Sequence, residues 1–231
     1  MLFTSLLKSR RHLATLEAKA CIPQFETSEI ILQRCPIGAW STPLIDVFVL
    51  LKSVVGFRST RILELGSYRG DTARLMAENT ADEVRIFAVD VHPDHGISYR
   101  DSHVARRIER RVGNIAPALF AAGEKFDFIF VDANHDYASV MNDTAVAFDH
   151  LTDDGVIFWH DYHFNSYFHG MAGVPDALRH YADGHAILSI DGTTLAMFSR
   201  HPGWETARLL QLKPADGKLA EDVWTQTQLR G

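Results

Sequence analysis

The sequence predicts an α/β fold: a doubly wound sheet of seven strands whose last strand runs antiparallel to the rest, preceded by a helical cap. Three observations carry this. From Arg61 onward apolar, strand-like runs alternate with helical patterns, the signature of a parallel sheet covered on both faces. Residues 61–78, RILELGSYRGDTARLMAE, read as strand, tight turn and helix. Near the carboxyl end AILSI and TTLAMFS are separated by Asp191-Gly192, a two-residue hairpin signal that makes the final strand an antiparallel return.

Taken in order, residues 1–20 carry Lys8, Arg10, Arg11 and Lys19 against the single acid Glu17. They are read as an amphipathic helix packed on the core, with a transit peptide as the other reading of that composition. Residues 22–40 look irregular, with Pro23, Pro36 and Gly38. A helix capped by Ser41 or Thr42, with Pro43 in its first turn, should run to Gly56, and being apolar nearly all round it should lie buried against the sheet. Strands are expected at 61–65, 85–90, 110–113, 126–132 and 155–160, and helices at 71–79, 100–108, 115–122 and 137–151. After the fifth strand comes a polar, aromatic loop, then a helix from Val174 with Pro175 in its first turn, then the hairpin. The division expected is a helical cap over 1–57, a sheet core over 58–200 and a tail over 201–231.

A chain of 231 residues with 46% hydrophobic content suits one core with an added cap. Its formal net charge of -6 gives no general attraction to nucleic acid or anionic membrane, and no apolar run approaches the roughly 20 residues of a membrane span. The expected partner is a small molecule. Cys21 and Cys35, the two cysteines, read as reduced thiols of a cytoplasmic protein. The apolar first helix is a candidate homodimer contact.

The turn after the 61–65 strand holds the first functional signal. Glycine is needed where the backbone bends sharply or touches a ligand, and the following helix points free N–H groups at whatever sits there. A pyrophosphate cradle wants G-x-G-x-x-G, whereas this turn is Gly66-Ser67-Tyr68-Arg69-Gly70, with Tyr68 where a dinucleotide must approach closely. A zwitterionic amino-acid group beside the acid Glu64 suits it better. Asp90 closes the next strand, and its two oxygens match a vicinal diol. At the ends of the fourth and fifth strands, FIFVDANHDY and VIFWHDYH place Asp132 and His135 on one loop and His160, Asp161, Tyr162 and His163 on its neighbour. Adjacent strands lie about 4.8 Å apart, so these loops can converge on one ion.

Glycine turn, strand-end acids and terminal hairpin together resemble the class I S-adenosylmethionine-dependent methyltransferases, a Rossmann-like fold, over about residues 58–200. The E-L-G-x-x-x-G run resembles the catechol-like and macrolide-sugar O-methyltransferase branch. The resemblance implies that Glu64, Gly66, Ser67 and Gly70 line the methionine portion of S-adenosylmethionine, Asp90 the ribose and Gly113-Asn114 the adenine side, with Asp132 bordering the cofactor. It further implies a divalent cation, magnesium or manganese, on Asp132, His160 and Asp161, gripping the acceptor hydroxyls. His160 departs from the usual acidic pair, and imidazole suits manganese, iron or zinc better than magnesium. It is therefore read as a ligand, as a residue supporting one, or as a residue that contacts the substrate. His135 matches the histidine given the part of base in the sugar-methylating members. Tyr162, Phe164, Tyr167 and Phe168 read equally as an acceptor wall or as loop packing, while His92, His95 and His103 read as polar surface.

The expected function is an S-adenosylmethionine-dependent O-methyltransferase acting on a small hydroxylated molecule. Two other readings stay open: a metal-dependent oxygenase on the same fold using His135, His160 and a carboxylate, and a non-catalytic cofactor-binding module.

Overall fold

The computed structural model describes residues 13–35, 41–162, 172–201 and 204. Two short N-terminal elements, β1 (Thr15–Leu16) and α1 (Ala18–Cys21), precede the helix α2 (Leu44–Gly56). The core then runs β2 (Arg61–Leu65), α3 (Asp71–Glu78), β3 (Arg85–Asp90), β4 (Ile108–Val112), β5 (Phe126–Val131), α4 (Tyr137–His150), β6 (Leu151–Trp159), α5 (Gly173–Tyr181), β7 (Leu188–Ile190) and β8 (Ala196–Ser199). All strands join one sheet in the order β1-β7-β8-β6-β5-β2-β3-β4. Among the described strands only β8 is antiparallel to its neighbours, as the Asp191-Gly192 turn requires.

Among the described residues the sheet has eight strands rather than the expected seven. The extra one is β1, which pairs in parallel with β7 through Thr15 and Leu16. Residues 15–16 thus leave the expected amphipathic helix, most of which falls on residues 1–12, outside the described ones. The helix expected over 100–108 reduces to a 3₁₀ turn at Ala105–Arg107, and the one over 115–122 to a 3₁₀ turn at Pro117–Leu119. β6 starts four residues early, because Leu151 pairs with Phe126 across a register shift in β5.

α2 also differs from expectation. Pro43 itself occupies the capping position with no side-chain cap, and Leu44 and Ile45 are half exposed. The opposite face is buried: Val47, Leu50, Leu51 and Val54 are fully enclosed. Each such side chain contributes about 1.5–3 kcal/mol through removal from water, so this stripe docks the helix. The core strands read as near-continuous apolar runs because both faces are covered. Ile62, Leu63 and Leu65 of β2, with Phe128, Ile129 and Phe130 of β5, are almost completely buried.

From β2 the chain steps outward to β3 and β4, and from β5 the other way to β6. The strand order therefore reverses between β2 and β5, and open α/β sheets form a ligand crevice outside the carboxyl ends of such a pair. Both signature segments, 64–70 and 132–135, leave the sheet there. Among the described residues, no helix is long and apolar enough to cross a membrane.

Candidate active site

The turn after β2 is tied to β3 by its backbone: the amides of Gly66 and Ser67 both donate to the Val89 carbonyl, at 2.9 and 3.0 Å. Gly66 has φ +92°, and a Cβ there would stand 2.1 Å from the Asp132 carbonyl oxygen. Gly70, at φ +80°, opens α3 and lies against the Tyr99 ring. Tyr68 takes a left-handed conformation and leaves its ring exposed, while its amide donates to Asp90 Oδ2 at 2.7 Å. The His92 amide donates to Asp90 Oδ1 at 2.8 Å. Asp90 is thus fixed from two sides, and each oxygen keeps acceptor capacity for a ligand.

Glu64 is buried, with Oε2 unpaired, and the Ser67 hydroxyl nearby is buried and unpaired as well. Burial pushes the Glu64 carboxyl up to about 8; the Ser67 hydroxyl beside it pulls the other way, and the charges of Asp132, Asp90 and Asp71 add to the rise. An unsatisfied buried carboxyl is costly unless a partner arrives, and a cationic group is the natural partner.

Beside this turn, β5 and β6 deliver the second half of the site. The Asp132 amide continues the ladder to the Leu65 carbonyl at 2.8 Å, and the His160 amide to that of Val131 at 3.0 Å. Asp161 follows in a left-handed conformation, φ +59°. His135 Nε2 lies 2.8 Å from Asp161 Oδ2 and 3.9 Å from Asp132 Oδ1. His160 Nδ1 lies 3.2 Å from Asp132 Oδ1 and 3.0 Å from Asp161 Oδ2. The contacts to Asp132 and Asp161 push His135 up to about 9. Burial opposes protonation of His160, but Asp132, Asp161 and Asp46 outweigh it and carry the ring up to about 12. Burial likewise raises the two aspartates, and the histidines overcome it, holding both below the usual carboxylate range. Asp132, His135 and Asp161 present ligand atoms all within 4.8 Å of one another.

Two residues of this corner escaped sequence reasoning. Asp46 of α2, fully buried, accepts from the Thr194 amide at 3.0 Å and the Thr194 hydroxyl at 2.7 Å, and its Oδ2 sits 3.2 Å from His160 Nε2. Thr42 faces Asp132 Oδ2 at 3.4 Å. The available signal was an acid inside a helix read as buried all round; such an acid demands partners.

Both halves open into one cavity of about 1010 Å³. Glu64, Gly66, Ser67, Asp90 and Asn114 line one part, and Asp132, His135, His160 and Asp161 the other. Gly70 does not line the wall; it shapes the turn from behind. Asp143 and Asn142 of α4 join the lining unforeseen. Tyr162 faces away, its hydroxyl accepting from the Leu13 amide at 2.8 Å, so it serves packing rather than the wall. Phe164, Tyr167, Phe168 and His163 lie outside the described residues. His92 and His103 are exposed as expected, but His95 is buried, with Nε2 3.1 Å from the Arg111 carbonyl.

Residues 63–162 match a protein-family model described as a methyltransferase domain. This stretch of the chain resembles a methyltransferase domain. That match spans β2 to the start of the loop after β6, so both halves of the cavity fall within the matched stretch. Solved structures agree on its fold. SAH-bound PaMTH1 from Podospora anserina is 18% identical, with 75% of this chain and 90% of that one covered at a TM-score of 0.60. TomG from Streptomyces achromogenes, an O-methyltransferase involved in tomaymycin synthesis and solved with SAM, is 17% identical over 86% and 94% of the two chains, TM-score 0.59. The O-methyltransferase from Bacillus cereus, in complex with SAH, is 16% identical over 70% and 84%, TM-score 0.54. No curated protein matches the chain.

Proposed function

We propose that this domain transfers a methyl group from S-adenosylmethionine to a hydroxyl of a small molecule. The observation that carries the reading is the shared cavity: a buried, unpaired Glu64 Oε2 and Ser67 hydroxyl beneath a close-approach glycine turn open into the same space as Asp132, His135 and Asp161. The donor fits this geometry. Glu64 and Ser67 supply acceptors for an ammonium group, Gly66 leaves the backbone bare, and Asp90 presents two fixed oxygens for a ribose diol. When bound, its sulfonium supplies an electrophilic methyl group, which passes to the acceptor oxygen as the carbon–sulfur bond breaks. His135 takes the hydroxyl proton on Nε2, as general base. Cavity walls from the Gly66 turn and the β5–β6 corner hold acceptor and donor in line, and that alignment lowers the barrier most.

The donor chemistry of Asp132, Asp161 and the adjacent imidazoles also fits a divalent cation. A cation there would make the acceptor hydroxyl more acidic and, by engaging the carboxylates that hold His135, return that imidazole toward its neutral form. We place the protein in the cytoplasm with its cysteines reduced, Cys21 buried and pushed up to about 12 by burial, and take the acceptor to be uncharged or cationic, given the many carboxylates around the cavity.

One observation favours a second reading. Both imidazoles address the same Asp161 oxygen, at 2.8 and 3.0 Å, an arrangement compatible with a two-histidine, one-carboxylate iron centre of an oxygenase. Incubation with methyl-labelled S-adenosylmethionine and a panel of catechols and hydroxylated sugars separates the two. Label in the acceptor supports the transferase; tightly held iron with no label transfer supports the oxygenase.

A further inference from the structure

Asp46 stands 114 positions from His160 in sequence yet meets it in the buried interior, at 3.2 Å. Both carboxylate oxygens of Asp46 already accept from Thr194, one from the amide and one from the hydroxyl, so the residue acts toward the ring as an acceptor only. His160 Nε2 is therefore the donor in that contact, and Nδ1 is the nitrogen left for the cavity. A flip of the ring would swap nitrogen for carbon at both ends and remove the contacts of Asp46, Asp132 and Asp161 to the ring at once. The orientation is locked by three elements: α2, the β7–β8 turn and the end of β6.

The cavity side of the ring has the spacing of a coordination sphere. Donors about 2.1 Å from one ion and at right angles to each other lie about 3.0 Å apart. His160 Nδ1 is 3.2 Å from Asp132 Oδ1 and 3.0 Å from Asp161 Oδ2. An imidazole that ligates a metal characteristically gives its other ring N–H to a carboxylate, which fixes its orientation and strengthens it as a donor. Asp46 stands where that carboxylate belongs.

We propose that Asp46 is a positioning residue: it holds His160 so that Nδ1, with Asp132 and Asp161, forms a mixed nitrogen–oxygen site selecting a transition ion over magnesium. The inference rests on the cation in the reading above and deepens it by naming the ion class and the residue that sets it. A nitrogen donor is poorly matched to magnesium, whose sites are built from oxygen, and better matched to first-row transition ions.

The test uses the full chain loaded with Mn²⁺ and needs no turnover. Pulsed electron paramagnetic resonance should show directly bound ¹⁴N in the wild type and in His135→Gln, and lose it in His160→Gln. Calorimetry should show Mn²⁺ binding more than about tenfold tighter than Mg²⁺, with Asp46→Asn weakening Mn²⁺ by about 10–100-fold and leaving S-adenosylhomocysteine affinity within about twofold. If Asp46→Asn does not fold, Thr194→Val, which removes one of the three contacts on Asp46, should show a smaller loss in the same direction. Nitrogen coupling that survives His160→Gln, Mn²⁺ affinity indifferent to both the Asp46 and Thr194 variants, equal affinity for the two ions, or no Mn²⁺ binding would each overturn the proposal. Failure of S-adenosylhomocysteine to bind any variant, with the metal results as expected, would instead remove the methyl-donor reading and leave the ion site standing.

Discussion

Gly66 and Asp132 are interlocked: a single methyl group on Gly66 would stand 2.1 Å from the Asp132 carbonyl oxygen and 2.6 Å from the Ala133 Cα. The turn proposed to hold the donor and the corner that carries the proposed chemistry thus touch through bare backbone, at the point where the strand order reverses. Neither can shift without the other, which is how a sheet edge can align two ligands from different strands.

Gly66→Ala should accordingly cost more than a surface change. A positive φ combined with backbone overlap is expected to lower stability by at least about 2 kcal/mol. Urea unfolding checks the stability, and wild-type behaviour in both stability and S-adenosylhomocysteine affinity would show that the contact is slack.

Glu64 should make the free protein sensitive to pH. Its folded value, about 8, lies above the ordinary 4.5, so the folded state holds a proton that the unfolded chain has lost. Stability should therefore fall as pH rises from about 4.5 to about 8. Glu64→Gln, with no proton to lose, should flatten that slope in thermal melts. The same variant should weaken S-adenosylhomocysteine most at high pH, where the native carboxylate would pair with the ligand ammonium.

His135 should impose the opposite trend on catalysis. Held at about 9 by Asp132 and Asp161, it is protonated at neutral pH and becomes a base only as pH rises. Without added cation, kcat/KM should climb close to tenfold per pH unit until it levels near 9. Asp161→Asn removes one of the two partners and should move the rise to lower pH. A profile unchanged in that variant would argue against His135 as the base.

Asp90→Ala removes the acceptor of the Tyr68 and His92 amides as well as the proposed ribose contact. The expected loss in S-adenosylhomocysteine affinity is about 10–100-fold, some 1.4–2.8 kcal/mol. An equal loss for adenosine and none for methionine would place the effect at the ribose.

The sheet was legible where a single residue type forces the backbone. β2 and β3 fall at the expected boundaries because apolar runs end at Glu64-Leu65 and Asp90, and the Asp191-Gly192 turn announced the antiparallel return. The helix expected over 100–108 is cut short because Ile108 already pairs with Ile86 as the first residue of β4, and the one over 115–122 buries Phe120 while exposing Pro117, Ala118, Ala121 and Ala122, too narrow a packed stripe to hold a helix against its own entropy. β1 was missed because two residues carry no periodicity; what places them is pairing with β7. In the cavity, residues at strand ends were readable because topology alone brings them together. Asp46 was not, since its partners Thr194 and His160 come from distant segments and only the folded chain makes them neighbours.

The most direct test of the whole account is calorimetric titration of S-adenosylhomocysteine into the wild-type protein, with Glu64→Gln and Asp90→Ala beside it. The expected result is one site per chain with a micromolar or tighter dissociation constant, about -8 kcal/mol or better, weakened in both variants. Absence of binding to folded wild-type protein at millimolar ligand would contradict the account.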